Sequence, residues 1–149
     1  MNNLIEITFK VLLTIALSSI IGSEREIRQK GAGLRTHILV GVGSALIVLT
    51  SFHVFDLYSN VGLVDPTRMI AGIIAGIGFL CAGAIIRSGD TEVHGLTTAA
   101  TLWIVSGIGM AVGAGQYDAA TIVTVTVFIV LVGLRSIERK LQTRFRKKH

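Results

Sequence analysis

The stretch IGSEREIRQKGAGLRTH, from Ile21 to His37, sets six charges and three glycines between two long apolar runs. Leu4 to Ser23 leads into it and Thr36 to Phe55 follows it. A bilayer core of about 30 Å takes about 20 apolar residues per helix, so each run reads as a span and the charged stretch as the loop joining two of them. Three further runs follow the same rule: Met69 to Ile86, Thr97 to Ala114, and Ala119 to Gly133, the last continuing into a basic tail. The composition agrees, with 51% apolar and 15% charged residues and a single proline among 149. The fold class expected is all-α, a polytopic integral membrane protein of five transmembrane helices. Residues 1–135 form the membrane domain and 136–149 a basic cytoplasmic tail. The first nine residues of the sequence hold no Lys or Arg, and most of the positive charge follows the first run, so it reads as a membrane helix rather than a cleaved signal.

Charge orients these spans. Of fourteen basic residues, Arg25, Arg28, Lys30 and Arg35 fall in the first loop, Arg87 in the third, and seven in the tail from Arg135 to Lys148. With five spans these twelve share one side, which the positive-inside rule makes cytoplasmic. The N-terminus is then outside and the C-terminus inside. The net charge of +5 does not imply nucleic-acid binding, because the tail lacks interleaved aromatic platforms. Contact with anionic lipid, at about 1 kcal/mol per basic residue, is the expected use of the tail.

Helices in lipid associate by close approach of small residues. In the third run, Gly72, Gly76 and Gly83 share one stripe and Ala71, Ala75, Gly78 and Ala82 an adjacent one, which predicts two close neighbours. The fourth run carries Gly107, Ala111 and Gly115 on one stripe and Gly109 and Gly113 on another. A homo-oligomer through such stripes is a further expectation.

Candidate chemistry lies at the ends of the runs. Glu24, Arg25 and Glu26 are placed just past the first helix, with Arg28 in pairing reach of Glu24. Two neighbouring carboxylates suit hydrated magnesium, which needs only one or two acidic ligands, so Glu24 and Glu26 are candidate metal ligands, with Asp90 and Glu92 able to supplement them. Asp65 is expected to cap a helix, with Pro66 in its first turn and Arg68 within reach. Thr97 or Thr98 is expected to cap the fourth helix, leaving a positive dipole end suited to an anion. Lys10, the only basic residue inside a span, is expected to snorkel or to pair with Glu6. His37 and His94 flank helix ends, and no Cys/His spacing matches a zinc site; Cys81 reads as a buried thiol. No nucleophile with a paired base, P-loop or dinucleotide fingerprint occurs, which predicts a protein that is not an enzyme. The third to fifth runs hold no acidic residue, so a transport path there leans on glycine-rich backbone.

The runs GSEREIRQKGAGLRTHILVGVGSAL, DPTRMIAGIIAGIGFLCAGAII and VHGLTTAATLWIVSGIGMAVGAGQY resemble, in order and spacing, the MgtC/SapB family of prokaryotic membrane proteins. The resemblance implies an inner-membrane protein tied to magnesium limitation and to ionic or energetic homeostasis, and in some members to survival inside hosts. It implies either modulation of a membrane partner, the F-type ATP synthase among them, or transport of magnesium or another cation; Mg2+ is the only ligand it suggests. The matching positions are Glu24, Arg25, Glu26, Gly33, Leu34, Arg35, Thr36 and His37 in the first motif. The second supplies Asp65, Pro66, Arg68, Gly76, Gly78, Phe79 and Gly83, and the third Gly95, Leu96, Thr97, Thr98 and Trp103. Cys81 stands where the family pattern has glycine. Many members append a soluble domain after the last helix, where this chain has its basic tail.

Overall fold

The computed structural model describes residues 2–60, 62, 65–88 and 92–146. Helix α1 spans Asn2–Ile27, α2 Leu34–Tyr58, α3 Thr67–Ala84, α4 Leu96–Gly113 and α5 Tyr117–Arg146. All five are long and apolar enough to cross a membrane. Two short strands, β1 (Ile86–Ser88) and β2 (Glu92–His94), pair antiparallel between α3 and α4 with Arg87 opposite Val93. The sequence reading had only a loop there; β-branched Ile86 and Val93 favour the extended form.

Helix ends explain the other departures. Glu24, Arg25 and Glu26 were expected beyond the first helix, but all three are helical. Glu and Arg are good helix formers, and nothing stops the helix before Gln29. Gln29 turns left-handed at φ 52°, with Lys30 N–H donating to the Arg25 carbonyl at 3.0 Å and Gln29 N–H to Glu26 at 2.9 Å, a Schellman ending. Gly115, at φ 82°, ends α4 the same way: Gln116 N–H donates to Ala111 and Gly115 N–H to Val112. Helix α5 runs unbroken into the basic segment, as the last apolar run suggested.

The core sits on α4. Over half of it, 56%, is buried inside the protein, against 11% of α3 and of the apolar part of α5. Helices α2 and α4 run parallel and touch backbone to backbone. A Cβ on Gly109 would overlap the Gly41 carbonyl, and one on Gly113 would lie 2.9 Å from the Ala45 oxygen. Gly41 and Ala45 are thus the small-residue partners of Gly109 and Gly113, the geometry that lets van der Waals packing hold helices in lipid. Ser44 and Ser106 close the seam with a 2.8 Å hydrogen bond. Leu17 and Ile21 of α1 pack on Val105, Ile108 and Val112 of α4 and Ala120 of α5.

Helix α3 joins differently from its sequence expectation. It buries Ile73 and Ile77, and Cys81 Sγ lies 3.2 Å from the Ala99 carbonyl. Gly72, Gly76, Gly78 and Gly83 have nothing within 4 Å of where a Cβ would stand, and neither does Gly107. Among the described residues α3 does have two neighbours, α4 and α2, but it meets them with its other face and not through these stripes. Bulky Ile73 and Ile77 hold α3 at side-chain distance, so its glycines look outward. Phe79, at 83% exposure, is on the open surface too, the place of apolar side chains where lipid is the solvent.

Candidate functional site

At the end of the bundle where α1 finishes and α4 begins, a cluster of polar groups is sealed inside. Gly22 brings α1 against the start of α2: a Cβ there would lie 2.9 Å from the Leu34 backbone and 3.1 Å from the His37 Cβ. Two and three residues later, Glu24 and Arg25 are 6% and 4% exposed. Charges this buried require partners, because desolvation outweighs attraction unless the geometry is satisfied. Among the described residues Glu24 has two: Arg28, four residues on, pairs with one oxygen, and Arg25 stands 3.6 Å from the other. Arg25 also donates to the Thr98 hydroxyl at 3.2 Å, tying α1 to α4. Among the described residues, Glu24 Oε2 and Arg25 Nε have no hydrogen-bond partner.

His37 extends the cluster. Its ring is fully buried, with Nδ1 2.8 Å from the Gly33 carbonyl and Nε2 3.1 Å from the Thr101 hydroxyl. A carbonyl only accepts, so Nδ1 carries a proton. Thr101 also reaches the Thr98 carbonyl at 2.8 Å, so its hydroxyl proton has two acceptors to choose from. Neither Thr97 nor Thr98 caps α4. Gly95 does so at φ 89°, a left-handed turn with no room for a Cβ beside the Ala84 carbonyl, and among the described residues no side chain caps the helix start. Thr98 is turned inward to Arg25, and Thr97 is exposed.

Glu26 does not join Glu24. Two residues apart on a helix, the side chains diverge by about 200°. Glu26 is exposed and accepts the Leu34 N–H at 3.0 Å, tethering the α1–α2 turn. A magnesium site shared by Glu24 and Glu26 is therefore not formed, and among the described residues no group of three or more His, Cys, Asp or Glu is placed to hold a metal. Asp90, read as a supplementary ligand, lies outside the described residues, as do Lys147, Lys148 and His149 of the tail. Arg35, on the first turn of α2, is exposed and is not among the residues that join the Glu24 cluster.

The opposite end is simpler. Asp65 accepts from the Thr67 N–H at 2.8 Å and from its hydroxyl at 2.6 Å, capping α3 with Pro66 at φ −65°. These two hydrogen bonds, with the charge of Arg68 behind them, hold the Asp65 carboxyl below the usual aspartate range. Lys10, only 8% exposed, pairs with Glu6 at 2.8 Å. Phe9 meets Tyr117 edge to face at 5.4 Å, joining the starts of α1 and α5.

A signal for the parts the sequence reading missed was present. Gly41 and Ala45 are four apart, the same spacing as Gly109 and Gly113, and Thr101 lies one turn from Thr97 and Thr98. What pairs them is the parallel alignment of α2 and α4, which no single run states.

Comparison with known proteins fits this architecture. A family model described as the MgtC family matches residues 11–140. YhiD of Escherichia coli (strain K12), provisionally named a magnesium transporter, is 42% identical over 129 residues, 85% of this chain and 59% of that protein. Protein MgtC of Salmonella typhimurium (strain LT2) is 40% identical over 131 residues, 88% of this chain and 53% of that protein. A Haemophilus influenzae protein is 37% identical over 142 residues, 91% and 60% of the two chains. The chain thus spans between 53% and 60% of the length of these relatives. No solved structure matches it.

Proposed function

The chain belongs to the MgtC family, and from that premise we propose that it is a non-enzymatic protein of the bacterial inner membrane that supports magnesium homeostasis by binding and modulating a membrane partner. The N-terminus is then outside and the basic end cytoplasmic, following the positive-inside rule. The observation that carries the partner reading is the face of α3. Gly72, Gly76 and Gly83 meet nothing among the described residues, yet small residues at this spacing are what close helix contact in lipid uses. Helix α4 spends the same kind of stripe on its neighbour α2; α3 leaves its own available. The family resemblance makes the F-type ATP synthase the partner to test first, and a second copy of this chain competes for the same face.

The test replaces Gly76 with Leu. Because the site is open, the protein should melt as the wild type does, while a partner that co-purifies from magnesium-limited cells should be lost. Retention of the partner by both Gly76→Leu and Gly72→Leu would sink the proposal.

One observation favours a second reading, passage of magnesium or another cation. Buried Lys10, Thr14 and Ser18 on α1, with Ser44, Ser106 and Thr101 between α2 and α4, line the interior between the two ends of the bundle. Against it, Glu24 stands between two arginines, a poor setting for a divalent cation. Magnesium flux into proteoliposomes decides: saturable flux abolished by Glu24→Gln supports transport, and none from folded protein leaves partner binding.

A further inference from the structure

We propose that the charged end of the bundle is a binding site for one anionic phospholipid, its phosphate seated between α1 and the start of α4 and an acyl chain lying in the groove between α1 and α5. Two adjoining hollows carry this. The first, about 630 Å³, is lined by Glu24, Arg25, Arg28 and Lys30, by Gly95 to Thr98 at the start of α4, and by Val130, Leu131 and Leu134 of α5. Its side chains set three cations against a single carboxylate. The first N–H groups of a helix have no acceptor within it, and α4 starts at Gly95, which has no side chain to cap them, so among the described residues they add positive potential to the same space.

An excess of positive charge at a helix start is not by itself a site. Here Arg25, only 4% exposed, lines the hollow with its Nε unpartnered among the described residues. That Nε is enclosed, so Arg25 lends the hollow its charge, and the donors a phosphate can reach are the half-buried guanidinium of Arg28, whose fork fits phosphate oxygens, and the exposed ammonium of Lys30.

The second hollow, about 620 Å³, decides between a lipid and a free anion. It shares Glu24, Arg28 and Lys30 with the first, and its remaining walls are Ile20, Ile27, Phe128 and Val132, with Ser23 between them. Ile27 is 82% exposed at the same level as the two cations. A free phosphate has no use for that apolar wall. A phospholipid fills both hollows at once, its phosphate on Arg28 and Lys30 and its chain against Ile27 and Phe128, as basic pockets between membrane helices do for anionic headgroups. This site lies at the charged end, on α1, α4 and α5, and is independent of the open face of α3.

The experiment uses the full chain in nanodiscs of mixed phosphatidylglycerol and phosphatidylcholine, released for native mass spectrometry. One phosphatidylglycerol should be retained in preference to phosphatidylcholine. Lys30→Gln, an exposed substitution that keeps the Glu24–Arg28 pair, should weaken retention about fivefold, and Arg28→Gln with Lys30→Gln about 30-fold, the loss of one and of two interfacial cations. Gly76→Leu should retain the lipid as the wild type does, which separates this proposal from partner binding. Equal retention of both lipids, or an unchanged preference in Lys30→Gln protein that melts normally, overturns the proposal. If inorganic phosphate at millimolar level displaces the lipid and matches its effect on melting, the site takes a free anion and the lipid assignment falls.

Discussion

Replacing Gly109 by alanine tests the central packing claim with a single methyl group. The added Cβ would overlap the Gly41 carbonyl oxygen and lie 2.9 Å from its carbon and 3.1 Å from its Cα, all backbone atoms that cannot swing aside. Helices α2 and α4 must then separate by on the order of an ångström to restore an ordinary carbon–oxygen contact, along a seam that includes the Ser44–Ser106 hydrogen bond. Overpacking of this kind costs about 1–3 kcal/mol. Alanine returns up to about 1 kcal/mol of helix propensity, less in lipid, where the backbone has no alternative to the helix. The net loss is about 2 kcal/mol, or about 4–8 °C in melting temperature for a chain of this size. Gly107, two residues away on the same helix, has nothing within 4 Å of its Cβ position. Gly107→Ala should therefore melt within about 1 kcal/mol of the wild type, on the stable side. The assay is thermal loss of helical circular dichroism in one detergent, wild type and both variants side by side. Equal melting of the two variants would refute the backbone contact between α2 and α4.

Two further outcomes are expected. Arg25→Gln leaves buried Glu24 with Arg28 as its one cation among the described residues and removes the donor to Thr98; breaking a buried pair costs about 3–5 kcal/mol, and the remaining arginine keeps the loss at the low end, measurable as a lower midpoint in denaturant. Asp65 has its carboxyl held below the usual aspartate value, chiefly by Thr67, so it stabilises the folded state above the ordinary aspartate pKa, and that contribution is lost as pH falls through its depressed value. Thr67→Val should raise the Asp65 titration midpoint toward the usual range in a carbon-detected NMR titration; an unmoved midpoint would show that the hydroxyl is not its cause.

The sequence by itself determined the spans, because length and hydropathy alone decide whether a segment can satisfy its backbone inside a bilayer. The five apolar runs became five helices, displaced by no more than a few residues at either end apart from the continuation of α5. It also located the ends where charge concentrates, since Glu24, Arg25, Asp65 and Arg68 sit beside those runs. It left undecided which glycine stripe meets which neighbour. Gly76 and Gly109 look alike in the sequence, and the difference arises because α2 meets α4 at backbone distance along its glycines while α3 turns Ile73 and Ile77, not its glycines, toward its neighbours. Nor does the sequence separate Glu24 from Glu26. Only the turn of the helix, about 100° per residue, sends one carboxylate into the core between Arg25 and Arg28 and the other out to the Leu34 backbone. Spans follow from each segment's own transfer into lipid, a local property; sites follow from contacts between segments far apart in the chain, and those exist only once the helices are packed.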